Sequence, residues 1–120
     1  MKLERDLMKQ IQQYLSLWQS TGDVYWWSRL QSGKVRSGQY FIKMCDKGTP
    51  DFIALLNTYN GLMCLFIEAK SDTGQLRPEQ KSFALKYNNE CIKTLCIRDI
   101  KDLESFVYGN ARDFVKDIGV

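Results

Sequence analysis

Histidine is absent from all 120 residues. That removes Ser-His and Cys-His catalysis, His-ligated zinc, and nucleases that depend on an imidazole. The four cysteines (Cys45, Cys64, Cys91 and Cys96) form no CxxC pair, so their spacing encodes neither a zinc site nor a redox dithiol. Cys64, set among strand-forming residues, reads as a small buried hydrophobe. No apolar run approaches the roughly 20 residues of a membrane span, so no membrane partner is expected. Met1 to Asp6 carries charges of both signs with no apolar block behind it, which does not read as a signal peptide. With no paired cysteines either, a reduced, cytoplasmic setting is expected. Repeats, low-complexity stretches and domain linkers are also missing. The expectation is one domain, with a core over about 3–108 and a polar tail over 109–120.

Whatever chemistry the chain performs must therefore come from carboxylates, lysine, hydroxyls and amides. Apolar residues make up 44% of the chain, enough for a globular core. The net charge of +3 is unevenly spread. Residues 29 to 47 hold Arg29, Lys34, Arg36, Lys43 and Lys47 against the single anion Asp46. Such a stretch suits a polyanion, although a solvated loop would look the same.

Leu3, Leu7, Ile11, Tyr14, Leu15 and Trp18 recur at helical spacing and predict an amphipathic helix over 3–19, ended by Ser20-Thr21-Gly22-Asp23. Val24 to Leu30 is aromatic and β-branched, which favours a strand. Gln31 to Gly38, with two glycines and two serines, reads as a loop, followed by a strand over Tyr40 to Cys45. Phe52 to Leu56 and Leu62 to Lys70 should pair antiparallel, with Asn60-Gly61 supplying the positive φ angles of a tight hairpin. Pro78 suits the first position of a helix reaching about Tyr87. A strand over Cys91 to Ile97 and a helix from the N-cap Asp99 to Val107 complete an α/β chain, ordered helix, three or four strands, helix, strand, helix.

Three charged residues fall where chemistry is expected. Asp51 follows Gly48-Thr49-Pro50, where glycine permits close chain approach and proline fixes φ. Glu68 and Lys70 are two residues apart and share one face of their strand. The hairpin between them returns Asp51 to the side of Glu68. Taken singly, these are an ordinary turn and a surface ion pair; together they describe a metal-dependent phosphodiester cut. The oxygens of Asp51 and Glu68, with the Ala69 carbonyl as a third ligand, suit Mg2+ or Mn2+. Lys70 can orient a water or neutralise charge on the phosphate. Gln80, on one helical face with Phe83, Ala84 and Tyr87, can hold a water or phosphate, or be only a satisfied amide. Glu4 borders the apolar stripe of the first helix, at a metal site or as a partner of the helix dipole. Arg77 and Lys81 flank Gln80 and join the five cations above as DNA-binding candidates. Trp26 and Trp27 can stack on bases, but neighbours in a strand face opposite ways, so at least one belongs to the core.

Gly48-Thr49-Pro50-Asp51, Glu68-Ala69-Lys70 and Gln80 together resemble the PD-(D/E)xK nuclease superfamily. Within it the chain is similar to the stand-alone VRR-NUC domains of bacteriophages and prophages. Glu4 in a first helix ending Tyr14-Leu15, Trp27-Ser28-Arg29 with Gly33, and Leu76-Arg77-Pro78-Glu79-Gln80 extend the likeness from Glu4 to about Val107. Arg77 stands where a capping serine is common, and Asn88-Asn89 where a glycine-rich turn is usual. The resemblance implies a restriction-endonuclease-like mixed sheet flanked by helices, in the order α-β-β-β-α-β-α. It also implies a Mg2+ or Mn2+ site at Glu4, Asp51, Glu68 and Ala69, completed by Lys70 and Gln80, and a homodimer that cuts branched DNA, notably four-way (Holliday) junctions. A flap or duplex nuclease and a non-catalytic DNA-binding module are the competing expectations.

Overall fold

The computed structural model describes residues 3–31, 34–43 and 45–111. Helix α1 (Glu4–Thr21) buries Leu7, Met8, Ile11, Leu15 and Trp18. Leu3, expected to begin that stripe, is instead the exposed N-cap, and its carbonyl accepts the N–H groups of Asp6 and Leu7 at 3.2 Å each. The helix stops at Gly22, whose φ of 90° is open to glycine and costly for other residues.

Strands β1 (Val24–Arg29), β4 (Phe52–Thr58), β5 (Gly61–Ala69) and β6 (Ile92–Ile97) form a mixed sheet in the order β1-β4-β5-β6. The first two pairings are antiparallel, and β5 pairs parallel with β6. A parallel pair needs a crossover, supplied by α2 (Pro78–Lys86). Helix α3 (Ile100–Asn110) follows β6. With its helices the four-stranded sheet reads α-β-β-β-α-β-α, as expected.

Three local expectations need correction. The stretch 31–38 is not all loop: β2 (Lys34–Ser37) pairs antiparallel with β3 (Tyr40–Lys43) as a separate two-stranded ribbon inserted between β1 and β4. Positive φ at the β4–β5 turn falls on Gly61 alone (103°), because Tyr59-Asn60 forms the two-residue loop and Asn60 keeps negative φ. Helix α3 runs past Val107 to Asn110, and Ala111 bridges to Thr58, so the C-terminal segment begins ordered. Residues 112–120, and Gly33 of the expected Trp-Arg...Gly stretch, lie outside the described residues.

The two faces of the sheet have different covers. Phe52, Ala54, Leu56, Leu65, Ile67 and Ala69 form the core with α1 and α3. Burying the phenylalanine, leucine and isoleucine side chains among them is worth about 1.5–3 kcal/mol each, so this face anchors β4 and β5. The opposite face meets α2, where the Phe66 and Phe83 rings pack edge to face at 4.9 Å. Trp27 packs against the core near Phe52, whereas Trp26 is 45% exposed, as the alternation of a strand requires. Cys64 is half-buried rather than buried.

Candidate active site

The Phe52–Ile67 pairing, carried one residue further, sets Asp51 opposite Glu68 at the end of the β4–β5 hairpin. Opposed residues of an antiparallel pair share a face. Asp51 Oδ2 accepts the Ala69 N–H at 2.9 Å, and the Asp51 carbonyl accepts the Leu30 N–H at 2.7 Å. The carboxylate is thus tied to β5 and its backbone to the end of β1. Lys70 continues the ladder, donating its N–H to the Ile97 carbonyl at 2.9 Å.

Glu68 is only 6% exposed. Its Oε1 accepts Gln80 Nε2 at 2.9 Å and lies 3.6 Å from Lys70 Nζ. Its Oε2 is buried without a hydrogen-bond partner. Burial, then the nearby Asp51 charge, pushes the Glu68 carboxyl up to about 7; Lys70 opposes this and Glu4 adds to it. Burial also raises Asp51, against the pull of the Ala69 N–H, with Glu4 raising it further and Lys70 and Arg29 lowering it. Two carboxylates held together at such cost, with an unpaired buried oxygen, describe a site short of positive charge.

Gln80, also 6% exposed, is engaged at both ends. Its Oε1 accepts the Arg77 N–H at 2.8 Å while its Nε2 donates to Glu68. Arginine has no acceptor to cap α2, so the glutamine closes the helix start and orients Glu68 in one move. In this structure its amide holds the Glu68 carboxylate in place.

Gly48 explains how the Asp51 turn meets α2. Its φ is 96°, and a Cβ there would lie 2.5 Å from the Glu79 carbonyl oxygen. Gly48→Ala is expected to cost more than the roughly 1–2 kcal/mol of left-handed backbone strain, since the contact must open too. Thermal unfolding measures that loss, and cleavage should fall with it, because Asp51 and Gln80 ride on the two segments being forced apart.

The remaining expected residues separate into groups. Glu4, exposed on the first turn of α1, lines an open cleft with Arg5, Lys9, Gln12, Arg29 and Asp51. Among the described residues, no three His, Cys, Asp or Glu side chains form a group able to hold a metal ion, although Glu4 is close enough to raise both Asp51 and Glu68. Lys47 and Arg77 lie 3.5 and 3.7 Å from the Glu79 carboxylate. Lys81 is exposed on α2, and Arg36 is exposed on β2. The side chains of Lys34 and Lys43 lie outside the described residues.

Sequence reasoning missed Arg5 and Lys9, although their spacing of four beside Glu4 was a usable signal. It also missed Arg98, whose Nη1 donates to the Ser71 and Gly74 carbonyls at 2.6 Å each and so fastens the turn after Lys70. Exposed Cys96, paired with Glu68 across β5–β6, lines a cavity of about 110 Å3 with Gly48, Pro50, Glu68, Gln80 and Thr94.

The family model of the VRR-NUC domain matches residues 31–96, more than half of the chain. The chain belongs to the VRR-NUC domain family. Comparison with curated proteins and with solved structures finds no match. A VRR-NUC domain is a nuclease-type domain that acts on DNA. The matched VRR-NUC segment contains Asp51, Glu68, Ala69, Lys70 and Gln80, while Glu4 and Arg29 lie before it.

Proposed function

We propose that the chain is a metal-dependent DNA endonuclease in which Asp51, Glu68 and the Ala69 carbonyl hold Mg2+ or Mn2+, with Glu4 approaching from α1. The observation that carries this reading is the buried, unpartnered Glu68 Oε2 beside a second carboxylate. Hard oxygen donors of this kind fit either ion, and magnesium keeps several of its own waters, so two acidic side chains and a carbonyl suffice. When bound, the cation would supply charge stabilisation at the phosphate and a water of lowered pKa.

The protein groups have distinct parts. Lys70, 3.6 Å from Glu68 Oε1, presents an ammonium beside the carboxylates, placed to meet charge developing on a phosphate oxygen. Gln80 fixes the orientation of Glu68, and the Ala69 N–H fixes that of Asp51. Arg29, Arg5 and Lys9 line the cleft through which DNA reaches Asp51.

The preferred substrate is branched DNA, notably the four-way junction, cut by a homodimer. One domain offers one such site, and two symmetric cuts call for two-fold symmetry. Synthetic four-way junction, flap and linear duplex, assayed side by side with Mg2+ or EDTA, test this. Fastest cleavage of the junction is expected, with none in EDTA. Equal rates on all three would remove the junction preference, and undiminished cutting in EDTA would remove the metal.

A further inference from the structure

We infer that the β2–β3 ribbon is a DNA-gripping arm whose cationic face tracks duplex phosphates away from the scissile bond. The inference deepens the DNA-cleaving reading above and rests on it.

The register is the main observation. Lys34 is paired with Lys43, Val35 with Ile42, Arg36 with Phe41, and Ser37 with Tyr40. Opposed residues share a face and successive residues alternate, so the backbone places Lys34, Arg36 and Lys43 at register positions on one face. All three cations of the ribbon therefore share a side. Two lysines directly opposite each other destabilise a strand pair. A two-stranded ribbon is itself marginal in water, and β2 and β3 make extensive contact only with each other among the described elements. A polyanion lying along that face would offset both costs.

The ribbon is also rooted at the catalytic residues. At its base, Leu30 N–H donates to the Asp51 carbonyl at 2.7 Å and Cys45 N–H to the Gln31 carbonyl at 2.8 Å. The four residues of β2, Lys34–Ser37, extend roughly 13 Å at about 3.3 Å per residue. That reach is about four base pairs of B-form DNA at 3.4 Å each. A two-stranded ribbon also has dimensions that a major groove accepts. The tip is polar and exposed: Arg36 Nε donates to the Gly38 carbonyl at 3.0 Å, and Tyr40 is 69% exposed.

The test is salt-dependent binding of a 20-base-pair duplex by the full chain in EDTA, read by fluorescence anisotropy. Each phosphate contact contributes about 0.9 to the slope of log affinity against log salt, so the triple variant Lys34→Gln, Arg36→Gln, Lys43→Gln should lower that slope by roughly 2.7. A charge-matched triple, Lys86→Gln, Lys93→Gln, Lys101→Gln, should leave it near the wild-type value. An unchanged slope in the ribbon variant, or an equal loss in the charge-matched control, overturns the arm. If wild-type protein binds DNA with the expected slope but cuts none in Mg2+, the nuclease reading fails while the arm stands.

Discussion

Cleavage is expected to fall by at least about 100- to 1,000-fold in Asp51→Asn and in Lys70→Met, a loss typical of removing a preorganised charge from a reaction site. DNA affinity should stay near the wild-type value in both. The two substitutions fail for different reasons. Asparagine keeps an oxygen to accept the Ala69 N–H, so the end of β5 is preserved; what disappears is negative charge. Alanine at position 51 would also strand that N–H, a stability cost of about 1–3 kcal/mol, and would confound the result. Methionine keeps the stem of Lys70 but removes the ammonium 3.6 Å from Glu68. Single-turnover cleavage and equilibrium binding on the same junction separate catalysis from recognition. Cutting that persists in both variants would show that the chemistry lies elsewhere.

The second large effect is on stability, and its sign is the opposite of what a buried ion pair leads one to expect. Without metal, Glu68→Gln should make the protein more stable at pH 8 while inactivating it. The Glu68 carboxyl is pushed up from its ordinary 4.5 to about 7. Between those values the folded chain holds a proton that the unfolded chain has released, so stability declines as pH rises through this window. It is greatest below 4.5 and stays reduced above 7. The shift corresponds to a cost on the order of 3 kcal/mol once the group ionises. Glutamine avoids that cost and can still accept from Gln80. Thermal unfolding in EDTA should therefore show the variant melting several degrees above wild type at pH 8, with the gap closing near pH 4. Mg2+ should stabilise only the wild type. Equal melting temperatures at pH 8 would mean that Glu68 is not paying an electrostatic penalty.

Much of this was legible in the sequence because local rules and tertiary packing agreed. The Leu7-Ile11-Leu15-Trp18 stripe and the alternation of Leu65 and Ile67 with Phe66 and Glu68 are both visible as period, and both survive in the structure. The convergence of Asp51 and Glu68 followed from a hairpin with a definite turn. The ribbon was half visible: Tyr40-Phe41-Ile42 reads as a strand, whereas Lys34-Val35-Arg36-Ser37 carries one apolar residue and is diluted by Ser32, Gly33 and Gly38. The part played by Gln80 was half visible: periodicity put it on the inner face of α2, but nothing local shows that it closes the helix over Arg77. Arg98 gave no signal because its partners are backbone carbonyls, which any residue can supply.

That arginine has a consequence for how the chain can diverge. By clamping Ser71 and Gly74 it sets the path of the connector from Lys70 to the helix bearing Gln80. Inserting or deleting residues in that connector would leave every acidic group and the ammonium in place, yet detune the amide that aims Glu68. If the proposed site is the reacting one, the connector's length matters to it as much as the acidic side chains do.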